Sequence, residues 1–297
     1  MRHAVLGAGG VGGLLAGALA RKAHEVVLLM RPESLAAYPG WIALQSAALG
    51  DFEVDVPAEA RLSRPVDVLW VTVKSQQLET ALALAPPDAV GDALVVPLLN
   101  GIDHVARLRA VYGDRVVPGA IRVEAERVGP GRIVHPSPFA STDLAPPPAL
   151  AARTEQLAAE MKDAGLAANV QAGREADVLW GKLAMLCPMA LATSSRRQPI
   201  GPTREDPETR ELMLACSREV CAVATAEGAQ VDPERYIAGL LGAPESMRSS
   251  MQKDLTAGRP LELDFIAGPV ISRGREHGIP TPATVELDRR VRDQAAG

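Results

Sequence analysis

The sequence of 297 residues predicts an α/β fold, with a doubly wound parallel sheet in the N-terminal part and an all-helical C-terminal domain. Two observations support this fold class. In the first half of the chain, uninterrupted apolar runs alternate with helical patterns, which is typical of parallel strands buried on both faces. Strand signals then end near residue 173, and helix signals such as Asp206 before Pro207 follow. We therefore predict two domains, residues 1–172 and 173–297.

Four apolar runs and two periodic segments define the core of the predicted sheet domain. The strands are expected at residues 4–6, 26–30, 66–73 and 94–99, and the helices at 11–22 and 102–112. Residues 41–56 predict a hairpin that covers one edge of the sheet, and residues 115–137 predict further strands around a Gly-Pro-Gly turn. A helix over 151–164 and a last strand near 168–171 are expected to complete the domain.

Composition and charge exclude several classes of function. The formal net charge of -5 comes without a basic patch, which argues against a nucleic-acid partner. The three cysteines, Cys187, Cys216 and Cys221, form no CxxC pair, and the five histidines lack metal-ligand spacing, so we predict neither a disulfide framework nor a metal site. The sequence has no recognisable signal peptide or membrane-spanning apolar run, so we expect a cytoplasmic protein without membrane contact.

A glycine-rich turn follows the first predicted strand and opens the first predicted helix. Residues 7–12 read GAGGVG, which matches the pattern GxGxxG. In this context the pattern is typical of a Rossmann dinucleotide-binding site. In such a site the first glycine allows the tight turn, and the second lets the backbone approach the pyrophosphate. The third glycine lets the helix pack closely on the sheet. We therefore expect the cofactor at the backbone of Gly7, Gly9, Gly10, Val11 and Gly12. The alternative is a glycine-rich turn without a ligand.

The residues at the end of the second predicted strand indicate the type of dinucleotide. NAD proteins usually carry Asp or Glu there, whereas this chain has Met30 followed by Arg31. An arginine suits the 2′-phosphate of NADPH through charge-assisted hydrogen bonds. NADPH is therefore the predicted cofactor, although Glu33 could bind the ribose hydroxyls instead, and Arg31 could be a solvated surface charge.

Further motifs follow along the chain in a fixed order. They are Thr72-Val73-Lys74, Leu99-Asn100-Gly101, Trp180-Gly181-Lys182-Leu183-Ala184, Ser249-Ser250-Met251 and the run from Glu262 to Gly268. This series resembles the ketopantoate reductase (2-dehydropantoate 2-reductase) family over nearly the whole chain. In that resemblance Arg31 matches the contact to the 2′-phosphate.

The resemblance implies a role for each matched residue. Lys182 corresponds to the catalytic lysine, and Glu262 to the carboxylate that binds the substrate hydroxyl. Ser250 corresponds to a hydroxyl near the substrate carboxylate. Lys74 and Asn100 correspond to groups near the nicotinamide and the substrate. The implied substrate is a small 2-oxo acid, and the implied assembly is a monomer or a homodimer.

The chemistry of the reaction supports these residue types independently. Hydride addition to the carbonyl carbon leaves negative charge on the oxygen, so a proton donor is required. Lys182 lies in a mainly apolar helical segment, where burial would favour its neutral form and make it a better proton donor. The alternative is a lysine that snorkels to the surface. Each of the other residues also has a purely structural alternative. Lys74 could be a charge in a loop, and Asn100 part of a tight turn. Glu262 could be a charge that stabilises the start of a helix through the helix dipole, and Ser250 a hydroxyl on the helix surface.

The sequence departs from the family pattern on the helix of the catalytic lysine. Family members usually carry asparagines four and eight positions after the lysine, whereas this chain has Leu186 and Ala190. Pro188 lies in the same stretch and is expected to kink the helix. Polar residues at 193–197 are a possible replacement for the missing amides. We therefore predict an NADPH-dependent 2-oxo acid reductase, with ketopantoate as the first candidate substrate. The alternatives are a related 2-oxo or hydroxy acid dehydrogenase with another substrate and a non-catalytic NADPH-binding sensor.

Overall fold

The computed structural model describes residues 1–296. The strands are β1 Arg2–Leu6, β2 Glu25–Leu29, β3 Trp41–Ser46, β4 Phe52–Asp55, β5 Ala58–Glu59, β6 Val68–Val71, β7 Leu94–Pro97, β8 Gly119–Arg122, β9 Glu126–Gly129, β10 Arg132–His135, β11 Ser141–Leu144 and β12 Ala167–Val170. The helices are α1 Gly10–Arg21, α2 Pro32–Ala36, α3 Leu78–Ala81, α4 Pro87–Val90, α5 His104–Tyr112, α6 Ala151–Asp163, α7 Glu175–Arg196, α8 Ile200–Glu205, α9 Pro207–Ala226, α10 Pro233–Gly242, α11 Ser250–Thr256, α12 Leu263–Ile266, α13 Gly268–Glu276 and α14 Pro282–Ala296.

The chain forms two compact units. Residues 1–99 and 104–178 make up the first, and residues 100–103 together with the chain from Leu179 onward make up the second. All strands belong to the first unit, and the second is helical. The predicted fold class, an α/β sheet domain followed by a helical part, is confirmed.

The first unit is built on a five-stranded parallel sheet in the order β5-β2-β1-β6-β7. Every residue of β6 and β7 is buried, as expected for apolar strands covered on both faces. β1 is central, with β2 on one side and β6 on the other. The carboxyl end of β1 therefore lies where the connections diverge to the two sides of the sheet, which is the usual ligand position in such folds.

The hairpin formed by β3 and β4 does not cover an edge of the parallel sheet, so this prediction is wrong. β3 pairs in parallel with β10, and the strands form a separate sheet in the order β4-β3-β10-β9. Alternate residues of β3, including Ile42 and Leu44, are buried. Ile42 packs at Gly17 of α1, where an added Cβ would lie 3.2 Å from its Cγ2 atom. Burial of this one face explains why the hairpin packs beside the helix.

A third sheet, in the order β12-β11-β8, completes the first unit. β12 was predicted, whereas β11 was not, because its sequence Ser-Thr-Asp-Leu is too polar to read as a strand. β11 pairs antiparallel with β8 and parallel with β12. A single apolar core, which includes Leu14, Trp70 and Leu157, joins the parallel sheet, α1 and α6.

In the second unit, α9 begins at the predicted signal, Asp206 before Pro207. The side chain of Asp206 caps α9 by accepting a hydrogen bond from the backbone N–H of Thr209 at 3.0 Å. Ile200, Met213 and Leu240 form part of its core. α7 remains one helix from Glu175 to Arg196 despite Pro188. It is long and apolar enough to cross a membrane by composition alone, but 78% of its most apolar window is buried inside the protein.

Candidate active site

The glycine-rich turn joins β1 to α1, and backbone conformation or close packing within the first unit requires glycine at three of its positions, Gly7, Gly10 and Gly12. Gly7 has a φ of +104°, which favours glycine. A Cβ atom on Gly12 would lie 1.9 Å from the carbonyl oxygen of Gly7. The hydroxyl of Thr72 donates a hydrogen bond to that same oxygen at 2.7 Å. Thr72 belongs to one of the sequence motifs, but its role in fixing the turn depends on the pairing of β1 with β6.

Gly9 and Gly10 differ in what surrounds them. A Cβ on Gly9 would meet no atom within 4 Å, so the turn is open at this residue. A Cβ on Gly10 would lie 2.0 Å from the carbonyl oxygen of Ala125, because the chain that enters β9 crosses the turn there. Among residues 1–296 no side chain caps the N-terminus of α1, and Val11 in its first turn is half-buried. The open space and the uncapped backbone N–H groups fit a dinucleotide pyrophosphate.

A cavity of about 230 Å³ lies beside the carboxyl end of β2. Met30 and Glu33 line it on one side, and Arg127 and Gly131 of the β9–β10 hairpin line it on the other. Arg31 is exposed and precedes α2 directly. The cavity therefore carries both a carboxylate and a guanidinium, and no sequence motif marks Arg127 as a site residue.

Lys74 and Asn100 follow β6 and β7, as predicted for groups at the carboxyl edge of the sheet. Lys74 is half-buried and precedes a short 3₁₀ turn, Ser75–Gln77, in the first unit. Asn100 belongs to the loop that groups with the second unit. The side-chain amide of Asn100 donates a hydrogen bond to Oε2 of Glu262 at 2.9 Å. The structure thus brings together two predicted site residues that are far apart in sequence.

The loop that carries Asn100 packs tightly against the segment that carries Glu262. Glu262 is buried, with 8% of its surface exposed. Gly101 has a φ of +82°, and a Cβ there would lie 2.2 Å from the carbonyl oxygen of Phe265. Asp103 also forms an ion pair with Arg273 at 2.7 Å. These contacts hold the amide of Asn100 at the carboxylate of Glu262.

Lys182 lies on α7 and is half-buried. Leu186 and Ala190 follow it at intervals of four residues, so the three side chains share one face of the helix. Leu186 is half-buried, and Ala190 is completely buried. This helix face is therefore apolar beyond the lysine.

Three of the polar residues that follow Ala190 make contacts within the protein. The hydroxyl of Thr193 is hydrogen-bonded to that of Ser249 at 2.9 Å. Arg196 forms an ion pair with Asp206, and Arg197 donates a hydrogen bond to the side chain of Gln294. These contacts do not favour Thr193, Arg196 or Arg197 as the replacement for the missing amides that the sequence suggests at residues 193–197.

The two adjacent serines at the start of α11 differ in environment. Ser249 is buried and caps the helix by accepting a hydrogen bond from the N–H of Gln252 at 3.1 Å. Ser250 is the first residue of α11 and is exposed, so its hydroxyl is accessible to a solute.

Two histidines and a glutamate lie together in the first unit, which corrects the prediction that the histidines do not cluster. Ligand atoms of His3, His24 and Glu160 lie within 4.8 Å of one another. Strand pairing and the packing of α6 bring them together, so sequence spacing gave no signal. The indole N–H of Trp70 donates to Nδ1 of His3 at 3.2 Å, so Nε2 carries the proton and donates to Glu160 at 3.1 Å. Burial lowers the pKa of His3 to about 4. This arrangement favours a neutral, hydrogen-bonded histidine over a cation ligand.

Comparisons with known proteins match both parts of the chain. Residues 3–148 match the family model "Ketopantoate reductase PanE/ApbA", and residues 176–292 match the model of its C terminal region. The chain is 32% identical over 294 residues to a 2-dehydropantoate 2-reductase of Caulobacter vibrioides, with 94% of each chain covered.

Solved structures share the fold over the whole chain. A PanE/ApbA family ketopantoate reductase from Ralstonia eutropha JMP134 aligns with a TM-score of 0.87 at 29% identity, covering 100% of this chain and 99% of that one. A D-mandelate dehydrogenase solved with NADH and anilino(oxo)acetate aligns with a TM-score of 0.89 at 21% identity, with the same coverage.

Proposed function

Because this chain belongs to the ketopantoate reductase family of oxidoreductases, we propose that it reduces a 2-oxo acid with NADPH. Ketopantoate, reduced to pantoate, is the first candidate substrate. We assign cofactor binding to residues 1–172 and substrate binding and catalysis mainly to residues 173–297. That two copies of this chain form a homodimer also remains a prediction.

The glycine turn and the end of β2 support the cofactor assignment. The open space at Gly9 and the uncapped start of α1 suit the pyrophosphate. Gly7, Gly10, Val11 and Gly12 complete this turn. Arg31 would bind the 2′-phosphate, and Lys74 and Asn100 would lie toward the nicotinamide. NADPH, when bound, supplies the hydride for the carbonyl carbon.

Lys182 is assigned as the general acid that donates a proton to the carbonyl oxygen as negative charge develops there. Glu262 would accept a hydrogen bond from the substrate hydroxyl, and Asn100 orients the Glu262 carboxylate through their 2.9 Å hydrogen bond. Ser250 would donate a hydrogen bond to the substrate carboxylate. Each role uses a group whose chemistry matches the atom that it is proposed to contact.

The observation that carries the proposal is the Asn100–Glu262 hydrogen bond. The two residues lie 162 positions apart in sequence. A buried carboxylate that accepts from this amide is a group of the acceptor chemistry that a substrate hydroxyl requires. A purely structural turn at Asn100 would not need this partner.

A second candidate is the reduction of a less polar 2-oxo acid by the same mechanism. Leu186 and Ala190 favour it, because an apolar helix face provides no hydrogen bonds for a hydroxylated substrate. Trimethylpyruvate differs from ketopantoate only by the missing hydroxyl, so this pair of substrates distinguishes the two candidates.

The test is the oxidation of NADPH, followed at 340 nm, with ketopantoate, trimethylpyruvate and a panel of other 2-oxo acids. A higher kcat/KM for ketopantoate supports the first candidate, and a higher kcat/KM for trimethylpyruvate supports the second. A chain that binds NADPH but turns over none of these acids would contradict both.

The matched variant for the mechanism is Lys182→Met, which keeps an unbranched side chain of similar length without the proton donor. We expect turnover to fall by a factor of about 100 or more, since general acid catalysis typically contributes this much. NADPH affinity is expected to stay within about twofold, because the proposed role of Lys182 is toward the substrate. Equal losses in binding and turnover would contradict this role.

A further inference from the structure

The β9–β10 hairpin forms one wall of the cavity beside the carboxyl end of β2. Arg127 and Gly131 of the hairpin line this cavity of about 230 Å³ together with Met30 and Glu33. Met30 immediately precedes Arg31, the residue assigned to the 2′-phosphate. Arg127 and Met30 thus border the same space, although nearly one hundred residues separate them in sequence.

The register of the hairpin determines which of its side chains face this space. Arg127 pairs with Ile133 across the two strands, so both side chains lie on the same face of the sheet. Ile133 packs on α1, where an added Cβ at Gly13 would lie 2.4 Å from its Cδ1 atom. Arg132 is next in sequence and stacks on Trp41, with its Cζ atom 5.4 Å from the ring centroid. Arg127 therefore faces α1 and the glycine turn, whereas Arg132 faces away.

The charges at the cavity do not favour a 2′-phosphate unless Arg127 contributes. Glu33 lines the same cavity and would repel a phosphate, whereas its carboxylate suits the free hydroxyls of NADH. Arg31 alone would only balance this charge. Within residues 1–296 the guanidinium of Arg127 makes no hydrogen bond or ion pair, so both of its edges are available to a ligand.

We propose that Arg127 is the second cation of a 2′-phosphate clamp, opposite Arg31, and that it determines the preference for NADPH over NADH. The proposal rests on the proposed function, because it requires that the chain binds a nicotinamide dinucleotide at the glycine turn. A planar guanidinium can form paired, charge-assisted hydrogen bonds to phosphate oxygens. Arg31 and Arg127 together with Glu33 would give the site a net charge of about +1. The variant Arg127→Ala would lower this net charge to about zero.

The experiment compares wild type, Arg127→Ala and Arg132→Ala by calorimetric titration with NADPH, NADH, 2′,5′-ADP and 5′-AMP. Arg132→Ala is the matched control, since it removes the same side chain from the other face of the hairpin. For Arg127→Ala we expect NADPH and 2′,5′-ADP to bind about tenfold to a hundredfold more weakly, the range for a lost charge-assisted contact. NADH and 5′-AMP are expected to change by less than about twofold, because they lack the 2′-phosphate. Raised salt should weaken NADPH binding less in Arg127→Ala than in wild type.

Three results would overturn the clamp. Arg127→Ala could weaken NADPH and NADH equally, Arg132→Ala could have the same effect as Arg127→Ala, or the wild type could prefer NADH. In the last case, reduction of a 2-oxo acid with NADH would preserve the reductase activity and remove only the cofactor preference. A wild type that binds neither dinucleotide would instead contradict the proposed function itself.

Discussion

Acidification is expected to destabilise the first unit through His3. The imidazole is completely buried and accepts a hydrogen bond from Trp70, which can only donate. A second proton would have to occupy Nδ1 and would face the indole N–H. Burial accordingly lowers the pKa of His3 from 6.5 to about 4, although Glu160 opposes this change. The N-terminal ammonium and His24 also pair with Glu160, so both of these groups influence the pKa of His3.

The magnitude follows from the difference between the folded and unfolded pKa values. The folded pKa is depressed, so the unfolded chain binds more protons between pH 6.5 and 4, and the free energy of unfolding falls as the pH is lowered through this window. One pH unit of difference corresponds to about 1.4 kcal/mol. The contribution of His3 therefore approaches about 3 kcal/mol, and it is fully present above pH 6.5.

The assay is urea unfolding from pH 4 to 7, with hydrogen exchange of the β1 amides as a readout confined to the first unit. The matched variant is His3→Gln, whose amide can accept from Trp70 and donate to Glu160 but does not titrate in this range. The difference in unfolding free energy between wild type and His3→Gln should change by about 3 kcal/mol across the window. Parallel pH profiles for the two proteins, or a His3 that NMR shows to be protonated at Nδ1 at pH 6, would refute the reasoning.

Three further predictions concern the turn and the Asn100–Glu262 pair. Gly9→Ala should keep the melting temperature but weaken NADPH binding, because its Cβ enters the open space at the turn; unchanged binding would contradict this. Gly10→Ala should lower the stability by about 1–3 kcal/mol in urea unfolding, since its Cβ meets the carbonyl of Ala125, and an unchanged midpoint would contradict this. Compared with wild type at the same pH, Asn100→Asp should lower the melting temperature more at pH 8 than at pH 5, because it places a second carboxylate at Glu262; an equal difference from wild type at both pH values would exclude the repulsion.

The parallel sheet could be predicted from sequence because its strands are continuously apolar. β1, β2, β6 and β7 all lie within the predicted runs or extend one or two residues beyond them, since burial on both faces leaves a strong local signal. The start of α9 could also be predicted, because the cap residue Asp206 and Pro207 at the first helical position both favour a helix start within a single turn. These features depend on neighbours in sequence.

The remaining features depend on pairings between distant segments. β11 is a polar strand that forms only between β8 and β12, and its sequence does not distinguish it from a loop. Arg127 reaches the cavity because β10 pairs with β3, nearly ninety residues earlier in the chain. The contact between Asn100 and Glu262 could not be predicted either, because the order of the motifs indicates which residues form a site but not which of them touch.

Transfer of deuterium from NADPH labelled at C4 tests the central claim most directly. The enzyme would be incubated with the labelled cofactor and the 2-oxo acid that it turns over fastest, and the product would be analysed by mass spectrometry and NMR. We predict that one deuterium appears at C2 of the hydroxy acid, from one of the two C4 positions only. Oxidation of NADPH without deuterium at C2 would show that the hydride goes elsewhere and would contradict the assignment as a 2-oxo acid reductase.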